Sequence, residues 1–144
     1  MRWTNKFGLP QSIYDAVARD DYDHGDAYSS TELIKDPCEI LLSRRHFDEL
    51  EEDVSDSWYS VLGSAVHSVM EHTKEGENEV REERLHYEFP EGAISGKFDS
   101  LDLTDGNEVL RDYKCTSTWT AIYGDGGKYK KQLSVYLMLI EKTL

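Results

Sequence analysis

The chain has 144 residues, 38% of them hydrophobic and 11% aromatic, which suits one domain with a real core and is too few for two large ones. Its 29 acidic side chains against 16 lysines and arginines leave a net charge of −13, which weighs against binding nucleic acid through bulk charge. No apolar run could span a membrane, the N-terminus lacks the apolar core of a signal peptide, and the two distant cysteines, Cys38 and Cys115, make neither a zinc framework nor a disulfide scaffold; a reducing, cytoplasmic setting without membrane partners is the expectation.

Residues 1–27 read as an N-terminal extension, partly irregular, with a short helix near Ser12 to Ala18 and an acidic loop at 20-DDYDHGD-26. Residues 28–144 read as the main domain. It opens with 29-SSTE-32, a capping-box pattern that predicts a short helix ending near 36-DPC-38. Asp36 and Pro37 then suit the cap and first position of a second helix through Ile40, Leu41, Arg44 and Phe47. The runs 48-DELEEDVSD-56 and 71-EHTKEGENEVREE-83 hold most of the excess acid and read as loops or solvated faces. Between them, Leu62, Ala65, Val66, Val69 and Met70 recur at helical spacing and predict an amphipathic helix over 57–76.

Three strands follow: Arg84 to Phe89, Ile94 to Leu103 and Glu108 to Cys115, the last two joined by the turn sequence 104-TDGN-107. A short helix is expected at Ser117 to Ile122, a loop at 123-YGDGGK-128, and a final helix at Tyr129 to Lys142 with Leu133, Tyr136, Leu137 and Ile140 along one stripe. The given sequence stops after that helix, so the domain reads as either truncated at its C-terminus or a compact variant. The fold class expected is α/β. The last 35 residues, Leu110 to Leu144, reverse the overall charge balance, with six basic residues against three acidic ones.

Charges inside two of these strands call for an explanation. Burying an unpaired charge costs several kcal/mol, so such groups are on the surface, paired, or on a metal. Asp112 and Lys114 alternate and project to one face, and a hairpin at 104–107 brings Asp99 beside them. Two carboxylates at a strand end suit a hard divalent cation, and a lysine beside it can steady a developing phosphate charge. An exposed hairpin carrying an ordinary Asp–Lys pair fits the same spacing. His67 lies one turn after Gly63, a mid-helix glycine that would let another backbone approach beside the imidazole. Gln132 and Tyr136 share a helix face, and Lys128, Lys130 and Lys131 precede or flank them as candidate phosphate contacts or as a wet helix face.

Taken in order, 63-GSAVH-67, 96-GKFD-99, 112-DYK-114 and 132-QLSVY-136 resemble the RecB-type branch of the PD-(D/E)xK nuclease superfamily, as RecB-like and phage-type exonucleases do. The segment 28-YSSTELIKDPCEILL-42 is similar to the helical N-terminal lead-in of that branch, and the likeness runs over roughly residues 28–140. The resemblance implies a restriction-endonuclease-like core, a mixed central sheet flanked by helices. It implies Mg²⁺ or Mn²⁺ held by His67, Asp99, Asp112 and the carbonyl of Tyr113, with Lys114 catalytic alongside Asp112 and Asp99. Gln132 and Tyr136 would support the site and contact DNA, with Lys131 nearby, and Glu83 would be an accessory acid. Iron–sulfur relatives bring four cysteines, so with two no cluster is expected. The implied activity is a DNA exonuclease acting on single strands or duplex ends in recombination, repair or phage replication. No GxxxxGK[ST] motif is present, so unwinding would need a helicase or recombination partner. The alternative is a non-catalytic DNA-binding or assembly module on a degenerate nuclease fold.

Overall fold

The structure, a computed structural model, describes residues 1–18, 26–73, 76, 78–104, 106–124 and 126–144. Most of the acidic loop expected at 20–26 lies outside the described residues. In chain order the elements are β1 (Arg2–Thr4), α1 (Gln11–Ala18), β2 (Tyr28–Ser29), α2 (Pro37–Arg45), a 3-10 turn (Phe47–Glu49), β3 (Glu51–Asp53), α3 (Trp58–Glu71), β4 (Glu79–Arg81), β5 (Arg84–Phe89), β6 (Gly92–Lys97), β7 (Ser100–Asp102), β8 (Val109–Arg111), α4 (Thr118–Tyr123) and α5 (Gly127–Thr143). This is an α/β chain with mixed sheets and helices. No helix among the described residues is long and apolar enough to cross a membrane.

The alternation of Leu85, Tyr87 and Phe89 makes β5 a strand with one face inward, and β6 pairs with it antiparallel from Arg84↔Lys97 to Phe89↔Gly92. β2 adds to the other edge of β6 in parallel, with Tyr28 opposite Ile94. A second ladder runs β4–β7–β8, all antiparallel. The expected strand over 94–103 is therefore two strands in two ladders, broken at Phe98 and Asp99. The ladders meet there: Phe98 N–H donates to the Glu83 carbonyl and Glu82 N–H to the Asp99 carbonyl. The turn expected at 104–107 does join β7 to β8, while the third strand is only Val109–Arg111.

Leu85, Phe98, Leu101, Tyr136 and Leu139 form the core, where α5 lies across β5 and β6. Phe98 and Leu139 are completely enclosed, and burying side chains of this size stabilises by about 1.5–3 kcal/mol each. Gly96 makes the close packing possible. A Cβ there would lie 2.9 Å from Leu139 Cδ1 and 2.9 Å from Tyr136 Cε1, inside any tolerable contact.

Two acidic runs turn out to be structured. β3, inside the run read as a loop, pairs parallel with β1, tying the N-terminal extension to the rest of the described chain. β4, inside the run read as a loop or solvated face, pairs with β7. Backbone pairing decides both: Glu51 and Glu79 meet arginines, at 2.6 Å from Arg2 and 2.6 Å from Arg81 respectively. At 29–32 the capping bonds form, Ser29 Oγ accepting from Glu32 N–H at 3.1 Å and Glu32 Oε2 from Ser29 N–H at 3.0 Å. They close a turn instead of a helix, because β2 draws Ser29 into strand pairing and Pro37 opens α2 soon after. Asp36 caps α2 as expected, accepting from Cys38 N–H. α3 forms where a helix is expected but ends at Glu71, short of 76, and Leu62, Val66 and Val69 along its stripe are exposed, so it is not a core helix.

Candidate metal centre

The break between β6 and β7 is what makes the site. It turns the chain so that Asp99, on a fully buried backbone stretch beside Phe98 and Ser100, presents its carboxylate away from the core. Asp99 accepts a short hydrogen bond from Tyr113 N–H, just past the end of β8. On the other side its Oδ1 lies 3.1 Å from His67 Nδ1. Glu82 Oε1 lies 3.3 Å from the same imidazole nitrogen. His67, Glu82 and Asp99 thus offer one nitrogen and two carboxylate oxygens within 4.8 Å of one another.

Arg81 positions this trio. Its guanidinium donates to the Met70 and Thr73 carbonyls at 3.3 Å each and to Thr73 Oγ1 at 2.5 Å, closing the C-terminal end of α3, the helix that carries His67. The next residue, Glu82, has φ of 50°, a left-handed conformation uncommon outside glycine. That backbone turn redirects the chain between β4 and β5 and accompanies the inward placement of the Glu82 side chain.

Around the trio runs an open cleft of about 430 Å³, whose walls include Lys97, Asp112, Lys114, Gln132 and Tyr136. Lys97 Nζ lies 2.5 Å from Glu82 Oε2, and Lys114 Nζ lies 2.8 Å from Asp112 Oδ2. The Asp112 side chain is only 5% exposed, whereas Lys114 is 35% exposed and reaches toward solvent. Gln132 Nε2 donates to Tyr136 Oη at 2.7 Å, and both are buried in the cleft floor. Burial is the main force raising the Tyr136 phenol above its ordinary pKa, against the bonds from Ser30 and Gln132.

The electrostatics are unfavourable to a charged Asp99. Burial pushes its carboxyl upward first; Tyr113 N–H and His67 oppose, and the nearby Asp112 and Glu82 charges add to the upward push. Three carboxylates, Glu82, Asp99 and Asp112, thus share the cleft with one imidazole and two lysines.

Of the residues singled out in the sequence, His67, Asp99, Asp112, Lys114, Gln132 and Tyr136 converge on one cleft. Tyr113 contributes its backbone N–H to Asp99. Lys131 is exposed on α5 and outside the cleft lining. Glu83 uses its carbonyl to join the ladders, and the acid at the site is its neighbour, Glu82. Lys97, inside the motif 96-GKFD-99 and two residues before Asp99, also lines the cleft, which its place in the sequence does not announce. The approach expected at Gly63 is not seen among the described residues: a Cβ there would meet none of their atoms within 4 Å.

No protein-family profile and no curated protein matches the chain. Among solved structures it resembles the crystal structure of SSO0001, with a TM-score of 0.63 and 18% identity over 90% of this chain. The match spans 64% of that protein's length. Likeness at this identity concerns the fold alone.

Proposed function

We propose that the protein is a metal-dependent DNA nuclease of the RecB-type PD-(D/E)xK branch, built on a restriction-endonuclease-like core, and that it acts as an exonuclease. The observation that carries this reading is the meeting of His67, Glu82, Asp99, Asp112 and Lys114, from four separate stretches of chain, in one open cleft. The donor set fits a hard to borderline divalent ion: two carboxylates and an imidazole with converging atoms, and a third carboxylate, Asp112, in the same cleft. His67, Glu82 and Asp99 would hold Mg²⁺ or Mn²⁺, with Asp112 completing the set. The bound ion supplies Lewis acidity and a water of lowered pKa.

The chain's own groups do the rest. Tyr113 N–H fixes the Asp99 carboxylate. Lys97 balances the charge of Glu82. Lys114, paired to Asp112 but partly exposed, turns its ammonium to the scissile phosphate and stabilises charge developing on its oxygens. Gln132 and Tyr136, bonded to each other, keep the floor from shifting.

The test is digestion of end-labelled single- and double-stranded DNA with Mn²⁺. The wild type is expected to cut, and Lys114→Ala and Asp112→Asn to lose at least about 10²-fold in rate. No cutting of any DNA by the wild type removes the proposal. One feature favours a second reading, a binding module that has lost turnover: lysines already occupy Glu82 and Asp112. Titration calorimetry separates the two, since a working site binds Mn²⁺ and a lysine-filled relic does not.

A further inference from the structure

The helix that follows Lys114 carries an aromatic surface that the cleft does not use. On α4, Trp119 and Tyr123 stack on each other with ring centroids 5.6 Å apart and planes 14° from parallel. They do so in the open, at 71% and 75% exposure, with Ile122 beside them at 64%. Holding two large rings in register while leaving them wet buries little area, so the core gains little from them.

Their surroundings differ from the rest of this acidic molecule. Residues 113–131 contain four lysines and one acidic residue, against a net charge of −13 for the whole chain. Thr120 and Gly124 of the α4 region share a cavity of about 350 Å³ with Lys128 and Tyr129 at the start of α5. Lys128 stands one helical turn before Gln132, which lines the metal cleft, so one face of α5 leads from the cavity to the cleft. Trp119 is five residues from Lys114 along the chain, a span of at most about 18 Å.

Exposed stacked rings on a helix whose neighbouring residues share a cavity with Lys128 match an unpaired nucleic-acid strand, which offers flat base faces and a phosphate chain together. Duplex DNA hides those faces, and an apolar protein partner has no use for the lysines. We propose that Trp119 and Tyr123 form a base-stacking platform, with Lys128 holding the backbone, that feeds a single strand into the cleft. The choice of single-stranded DNA as substrate rests on the nuclease reading; the platform itself does not.

Binding and cutting are therefore measured separately. Fluorescence anisotropy with a labelled single-stranded oligodeoxynucleotide in EDTA should give binding at least about tenfold tighter than to a blunt duplex. Trp119→Ala and Tyr123→Ala should each weaken single-strand binding by about tenfold, in the range for one lost base stack. Lys128→Ala should weaken it and flatten its salt dependence. A wild type that binds the strand this way without cutting keeps the platform and removes the nuclease. Unchanged binding in the Trp119/Tyr123 double variant overturns the platform, whatever happens to cutting. So does a double variant that loses only self-association in sedimentation, which would make the rings a contact between copies of the chain.

Discussion

Asp53 and Asp99 are buried to almost the same degree, at 5% and 6% exposure, and their surroundings are opposite. Asp53 is surrounded by donors: the Thr4 hydroxyl at 2.8 Å, Lys6 N–H at 2.8 Å, and Ser55 N–H and hydroxyl at 3.1 and 2.7 Å. The Lys6 backbone bond leads the forces that hold its carboxyl well below the ordinary range. Asp99 receives one backbone N–H and otherwise faces an imidazole and two more carboxylates, and its carboxyl is pushed up by burial. The donors around Asp53 belong to the fold and satisfy it in full, so it serves to join the N-terminal strand to β3. Asp99 has one backbone donor and an imidazole, with two further carboxylates close by, and this thinner set of donors is what separates it from Asp53.

That contrast breaks most readily in activity. Asp99→Asn should cost at least about 10²-fold in Mn²⁺-dependent cleavage, and Asp53→Asn should leave turnover per folded molecule near wild type. Equal losses in both, on samples matched for folded fraction, would mean that Asp99 is only structural. Next in size is the thermal response to metal. Mn²⁺ at a hundredfold excess over its Kd should stabilise the wild type by about 2.7 kcal/mol, read as a rise in Tm. Asp53→Asn should keep that rise and Asp99→Asn should lose it.

The pH response sharpens the difference with smaller effects. Asp53 and Glu79 have lowered folded-state pKa values, Glu79 from 4.5 to about 2, held first by Arg81 and then by Ser100. Their stabilisation is present above the unfolded values and is lost as pH falls through the folded ones, so denaturant midpoints should drop on acidification from about pH 4.5 downward. The Asp53→Asn/Glu79→Gln double variant should be less stable at neutral pH and flatter in that window. Asp99 has the reverse sign: its raised pKa favours the fold at low pH, and that advantage fades as pH rises through the folded value. In metal-free buffer at neutral pH, Asp99→Asn should therefore show a slight rise in Tm where Asp53→Asn shows a fall.

Local chemistry made much of this legible in the sequence. Asp36–Pro37 marks the start of α2, Leu85, Tyr87 and Phe89 mark β5, and the turn at 104–107 puts Asp99 next to the 112–114 segment. Asp112 and Lys114 do pair at 2.8 Å, but they lie past the end of β8, so the strand alternation expected of them is not what brings them together. What stayed hidden depends on partners distant in sequence. β1 and β3 are three residues each and have no pattern of their own; they exist because they pair across 49 residues, from Arg2 to Glu51. Glu82 rather than Glu83 enters the site because of one left-handed backbone angle, which no residue preference signals for glutamate. The apolar stripe of α3 announced a helix correctly and gave no sign that it would lie outside the core.

The close approach at Gly96 has a consequence for how this protein can vary. Its missing side chain is matched on α5 by both Leu139, a core residue, and Tyr136, a residue of the cleft floor. A variant with alanine at 96 would therefore look for a second-site suppressor on α5. Trimming Leu139 relieves only half of the collision, and trimming Tyr136 removes the hydroxyl that Gln132 holds. Drift at position 96 is thus linked to the floor of the site, and a lineage could enlarge that residue only by rebuilding the cleft at the same time.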